Sequence, residues 1–232
     1  MAARDYGQYG GLARALDLVG ERWALFIIRD LLVGPRRYGE LAAGLPRIPT
    51  NILAARLKEL QAGGIIRRAP RSRIVIYELT PYGRELEPVV LALGAWGLGS
   101  LDDQRENQVV TPDSLTMDLR SAFRPDAARA HPATAYAAHV GSGELLIRVD
   151  GAALDVRRGS GEADLSFAAG PGFHRILTGE WSAARAVQAG GITVLDGPRR
   201  LVDRFAETFR LGYSSGPAGG GPSTMRGTPS TS

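Results

Sequence analysis

The 232-residue sequence predicts an α+β protein in two parts: a helical first hundred residues with one β-hairpin, then an α+β part with an antiparallel sheet and helices. Three observations predict it. Apolar residues recur at helical spacing through most of 12–60. β-branched runs flank a basic turn within 65–79. Short strand-like runs separated by Gly-rich turns fill 133–167.

Leu12, Ala15, Leu16 and Val19 share a helical face, and Gly20 ends that helix. Arg22 to Leu32 is apolar on most faces and reads as a buried central helix stopped by Gly34-Pro35. Tyr38 to Ala43 forms one or two helical turns, and Leu45-Pro46-Arg47-Ile48-Pro49 is a turn. A helix from Thr50 to Ala62 carries Ile52, Leu53, Leu57 and Leu60 and closes at Gly63-Gly64. Leu25, Ile28 and Leu41 join Ile52, Leu57 and Leu60 as expected core. Ile65–Arg68 and Ile74–Leu79 make a hairpin around Ala69-Pro-Arg-Ser-Arg73. Thr80-Pro81 starts a further helix of roughly 15–18 residues bearing Leu86, Val89, Val90, Leu93 and Trp96.

A short helix, a tight turn, an amphipathic helix and a basic hairpin in that order form a winged helix-turn-helix layout. Charge agrees with it. Residues 1–100 carry 14 Arg and Lys against 9 Asp and Glu, whereas 101–232 carry 14 against 15. Within 36–73, nine basic residues face only Glu40 and Glu59. Such a field suits a polyanion, because cationic side chains displace counterions from phosphates; a solvated basic face is the alternative.

Four ordered motifs resemble the HxlR-type winged-helix regulators, relatives of the MarR group: 13–25 (ARALDLVGERWAL), 31–41 (LLVGPRRYGEL), 57–66 (LKELQAGGII) and 77–86 (YELTPYGREL). The resemblance spans about residues 10–98. It implies a homodimer, packed through the terminal helices of this domain, that binds double-stranded DNA at a pseudo-palindromic operator. Many members have a cysteine just before the first helix. Here Gly10-Gly11 occupies that region and the chain has no cysteine, so thiol sensing is excluded.

On this layout Thr50 and Asn51 open the recognition helix, where side chains meet base edges or phosphates; helix capping is their other reading. Arg47 and Arg56 are placed to clamp phosphate or read guanine. Arg36, Arg37 and Tyr38 start the preceding helix and touch the DNA backbone. Arg71 and Arg73 form the wing tip.

Residues 101–111 read as a linker, and Thr111-Pro112 starts a helix to about Phe123. Four strands at 133–140, 144–149, 153–157 and 164–167 are expected as an antiparallel meander. Helical segments at 172–177 and 182–189, a strand at 192–195 and a helix from Pro198 to about Phe209 follow. The motifs at 163–167 (ADLSF), 177–194 (LTGEWSAARAVQAGGITV) and 201–205 (LVDRF) are similar to the sterol-carrier-protein fold. That resemblance implies a tunnel for an apolar or aromatic effector. Phe123, Tyr136, Phe167, Phe173 and Trp181 are its candidate lining, or else ordinary core. The expected division is a DNA-binding and dimerisation domain at 1–100, a linker at 101–111, a sterol-carrier-like domain at 112–211, and a Gly/Pro/Ser/Thr-rich disordered tail at 212–232.

The absence of cysteine removes disulfides and thiolate sites and suits a reducing cytoplasm. The start, Met1-Ala-Ala-Arg-Asp-Tyr, lacks the apolar stretch of a secretory leader, and no apolar run approaches membrane-spanning length. His131, His139 and His174 have no metal-ligand spacing, and no catalytic arrangement or phosphate-binding glycine loop is evident. No catalytic residue, metal, cofactor or membrane partner is therefore expected. The expected function is a cytoplasmic transcriptional regulator, such as a repressor, under a small apolar effector. A regulator with a ligand-free second domain and a small-molecule carrier are the alternatives.

Overall fold

Apolar spacing and helix-end chemistry account for most elements. A computed structural model describes residues 7–71 and 73–212. The N-terminal helices are α1 (Gly11–Val19), α2 (Ala24–Val33), α3 (Tyr38–Gly44) and α4 (Thr50–Ala62). The central helix starts at Ala24 rather than Arg22, because Trp23 before it takes a left-handed φ of 82°. Strands β1 (Ile66–Arg71) and β2 (Ile74–Leu79) pair antiparallel from Ile66↔Leu79 to Arg71↔Ile74. The hairpin turn is thus tighter than the expected five residues.

Thr80 caps the next helix, accepting from the Gly83 N–H at 3.0 Å. The single long helix expected here is instead two, α5 (Pro81–Arg84) and α6 (Glu87–Leu98). Pro88 has no N–H to give to the Arg84 carbonyl, and the chain tightens before it. Glu85 and Leu86 donate three residues back, to Tyr82 and Gly83.

Residues 101–111 contain no helix or strand. Then come α7 (Pro112–Ala122), capped by Thr111, and a short α8 (Pro125–Arg129) that the sequence pattern did not suggest. Strands β3 (Thr134–Val140), β4 (Gly143–Asp150), β5 (Ala153–Arg158) and β6 (Leu165–Ala169) follow, then α9 (His174–Leu177), α10 (Ala183–Gln188), β7 (Ile192–Asp196) and α11 (Arg200–Thr208). The expected tail falls, from residue 213 on, outside the described residues.

The expected antiparallel meander holds only for β3, β4 and β5. The sheet order is β5-β4-β3-β6-β7, and β6 runs parallel to β3. After β5 the free edge of β3 lies two strands away, so the chain crosses the sheet to reach it. Gly161 passes close over Leu146, where a Cβ would lie 2.7 Å from its Cδ2. Tyr136, Ala138, Leu145, Ile147, Val156, Leu165 and Phe167 join one core with α7, α9 and α11.

A second core joins α2, α3, α4 and the hairpin. The two cores interlock. Ala95 and Leu98 of α6 belong to the C-terminal core, and Met117 of α7 to the N-terminal one. Of the expected N-terminal core, Ile28, Leu41, Leu57 and Leu60 are buried, while Leu25 and Ile52 are half-buried.

Candidate nucleic-acid interface and the cleft behind it

The α4 helix begins without a side-chain cap, because its capping position is Pro49. Thr50 and Asn51 are therefore released from capping and stand exposed at the helix N-terminus. The Tyr38 hydroxyl donates to the Thr50 carbonyl at 3.0 Å and ties α3 to this end. Asn51, Ala54 and Lys58 are exposed along one side of α4, with Gln61 in the next turn. This face, with Tyr38, Arg68 and Tyr77, borders a groove of about 440 Å³ between helix and hairpin.

Arg56 departs from expectation. It is 6% exposed, shares the helix side of Leu53, Leu57 and Leu60, and pairs with Glu59 and with Glu21 at 3.4 Å. Its charge is neutralised inside the protein. Its i+3 and i+4 spacing from Leu53 and Leu60 was the signal that placed it inward. That periodicity also marked Lys58, absent from the expected set, as outward.

Arg36 is likewise engaged. It donates through Nη2 to Asp113 at 2.9 Å, and Arg158 donates to the same carboxylate at 2.9 Å. Asp113 is 1% exposed, so one buried acid holds the segment before α3, β5 and α7 together. Arg36 also bridges Tyr77 through paired backbone hydrogen bonds. Arg37 is exposed, and its backbone N–H donates to Glu40. Arg47 is exposed and donates to the Asn107 carbonyl at 3.1 Å. Arg71 and Arg73 are exposed at the hairpin tip, beside exposed Arg67 and Arg68.

The expected effector aromatics form no tunnel among the described residues. Phe205 lies edge-on to Tyr136 at 5.3 Å and to Phe167 at 5.2 Å, and Phe167 stacks on Phe173 at 6.0 Å. Phe123 packs on Phe209, and half-buried Trp181 is covered by Arg175 and Arg185. Phe205 from α11 and Phe209 just after it pack into the space among these rings. Burial pushes the Tyr136 hydroxyl up to about 12.

A cleft of about 770 Å³ opens instead between the two cores. Its walls are the start of α2, the turn from α3 to α4, segment 101–111, α7 and segment 169–177; of the five aromatics only Phe173 lines it. Burial raises Asp118 in this cleft to about 7 against the lowering effect of Arg29. Burial likewise raises Asp30, behind Arg29, to about 6. His174 is held below its usual range by burial and by Arg175. No group of three or more His, Asp or Glu among the described residues is arranged to hold a metal ion.

The pattern of HxlR-like helix-turn-helix proteins matches residues 18–105. A Synechocystis protein named as an HTH-type transcriptional regulator is 35% identical over 103 residues, covering 43% of this chain and 76% of its own length. The chain belongs to the HxlR-like helix-turn-helix family. The Bacillus subtilis regulator YvaP is 34% identical over 92 residues, 38% of this chain and 85% of its own. Among solved structures, the HTH-type regulator ytcD is 36% identical, covers 38% of this chain and 94% of its own, and has a TM-score of 0.36. This HxlR-type protein is thus a transcriptional regulator whose N-terminal part is a winged helix-turn-helix. No helix among the described residues is long and apolar enough to cross a membrane. The family match ends at residue 105, so the five-stranded sheet lies beyond it.

Proposed function

We propose that this regulator binds a pseudo-palindromic duplex operator as a homodimer, with α4 in the major groove and the hairpin on the flanking backbone. The observation that carries the reading is the uncapped, exposed N-terminus of α4 beside a hairpin with four exposed arginines. Free N–H groups and the helix dipole at that end favour phosphate. Arg37, Thr50, Asn51, Lys58, Arg68, Arg71 and Arg73 make the contacts. Arg47 joins them at the cost of its bond to Asn107, and Tyr38 positions Thr50. Arg36 and Arg56 serve the protein's own ion pairs instead.

The second copy packs on the apolar stripe of α6, where Val89, Leu93 and Trp96 are 55, 47 and 73% exposed. Leu12 and Leu16 of α1 are also exposed apolar side chains. Patches of this kind mark association sites. Two recognition helices then meet successive major grooves about 34 Å apart.

The division into a DNA-binding part (1–100) and a sterol-carrier-like part (112–211) belongs to the same proposal. The order β6, α9, small-residue α10, Gly190-Gly191, β7 and α11 supports it. The filled aromatic centre favours a second part without an internal ligand. Effector control then rests on the cleft between the cores.

Selection of duplexes from a random pool, followed by gel shifts, tests the reading. Asn51→Ala with Lys58→Ala weakens binding to the selected duplex, whereas Arg56→Ala changes it little. Equal losses for both would remove the assigned face, and a monomer bound to a single half-site would remove the dimer.

A further inference from the structure

The cleft between the cores has arginines that are partly engaged and acceptors left over. Arg29 places Nε and Nη2 on Asp30 Oδ1 at 2.9 and 2.7 Å. Arg47 gives Nη2 to the Asn107 carbonyl. The Asp118 carboxylate, in contrast, receives no hydrogen bond from the described residues, and its charged neighbour is Arg29. His174 bonds the backbone of Leu101 through its ring, and its Nε2 is buried with no partner. A neutral imidazole that donates through one nitrogen offers a lone pair at the other. Buried polar atoms without partners are rare enough in folded proteins to call for a ligand or water.

Part of the wall is polar, with Asp102, Gln104, Gln108 and Ser114, and part is apolar. Trp23, Phe26, Phe173 and Leu177 face the cleft. Trp23 holds φ at 82°, a region bulky residues seldom occupy and one that clusters at ligand sites. The volume of about 770 Å³ lies within the range of small-molecule sites.

We propose that this cleft binds a compact aromatic or alkyl ligand bearing a protonated amine, its N–H groups directed to Asp118 and its apolar body against Trp23, Phe26 and Phe173. An ammonium group supplies the donors that Asp118 and His174 lack, and aromatic faces attract cations. An anionic ligand meets the Asp118 carboxylate, and Arg29 is held on Asp30. The cleft wall includes Gly44 to Arg47, the turn that leads into α4. Occupancy therefore acts on the presentation of α4, a consequence that rests on the DNA-binding reading, whereas ligand binding itself does not.

Three probes sharing one ring system test this: 1-naphthylmethylamine, 1-naphthylmethanol and 1-naphthoic acid, titrated calorimetrically into the full-length protein at pH 8. The amine is expected to bind about tenfold more tightly than the alcohol, with the acid weakest. Asp118→Asn abolishes the preference for the amine, and Leu177→Trp, which fills the cleft, weakens all three. A naphthoic acid affinity equal to that of the amine, or an Asp118→Asn protein that keeps the preference, would overturn the site. Amine binding that leaves the affinity for a selected duplex unchanged would overturn the effector role. A free protein that binds no duplex at all would instead refute the DNA-binding reading and leave the ligand site standing.

Discussion

Arginine serves different ends in the hairpin and around α7. At the hairpin Arg67, Arg68, Arg71 and Arg73 stand exposed, and Glu78 is the acid that pairs with Arg67 and Arg71. Around α7 the guanidinium groups are drawn inward. Arg36 and Arg158 converge on Asp113, and Arg120 reaches Glu87 and the Leu32 carbonyl. The first arrangement leaves a field for a partner to neutralise. The second joins the two cores, and removing it leaves charge stranded in low dielectric. Net charge alone does not distinguish them; the position of each acid does.

The contrast breaks most visibly at Asp113. Asp113→Ala strands Arg36, whose side chain is 14% exposed, and is expected to cost about 3–5 kcal/mol in urea denaturation. A loss below about 1 kcal/mol would mean that the joint contributes little.

At the hairpin the same kind of change spares the fold. Arg71→Ala with Arg73→Ala is expected to lower affinity for a selected duplex roughly tenfold or more, and to flatten the dependence of log K on log salt by about 2. The melting temperature stays near wild type. An unchanged salt slope would take these arginines out of the interface.

Asp118 yields a smaller, pH-dependent effect. Its carboxyl is raised from 3.8 to about 7 in the folded protein, so the native state holds a proton that the unfolded chain has lost between those values. Stability therefore falls as pH rises from about 4 to 7 on this account. Asp118→Asn removes that cost, so its melting temperature exceeds wild type by a few degrees at pH 8, with the difference vanishing near pH 4 (~2–4 °C per kcal/mol for a chain of this size). A gain independent of pH would point to packing instead. The smallest change in protomer stability is at Trp96→Ser, within about 0.5 kcal/mol for an exposed side chain. Sedimentation should nevertheless show a weakened dimer.

Much of the N-terminal fold was legible because its signals are local. Gly20, Gly34-Pro35, Gly63-Gly64 and Thr80-Pro81 mark helix ends by their backbone chemistry. Thr50, Asn51, Arg37, Arg71 and Arg73 are exposed, as an interface requires. Arg36 is engaged by Asp113, 77 residues away, which no local pattern reaches, whereas Arg56 has Glu59 three residues on and the inward spacing of Leu53 and Leu60.

The same limit applies to the C-terminal part. Strand positions followed from alternation, but the pairing of β6 with β3 depends on which edge is free, and alternation does not encode that. Tyr136, Phe167 and Phe173 are buried, while Phe123 and Trp181 are half-buried. Whether they border a space or fill it depends on Phe205 of α11 and Phe209 just after it. The cleft between the cores has no local signature, because it is assembled from segments as distant as Trp23 and Leu177.

The most direct test of the central claim is fluorescence anisotropy of a duplex selected by this protein, measured against a scrambled duplex across a salt series. The account predicts at least a ~10³-fold preference for the selected duplex, a linear fall of log K with log salt, and loss of the preference in Asn51→Ala/Lys58→Ala. Equal affinity for the selected and scrambled duplexes, unchanged by those substitutions, would contradict it.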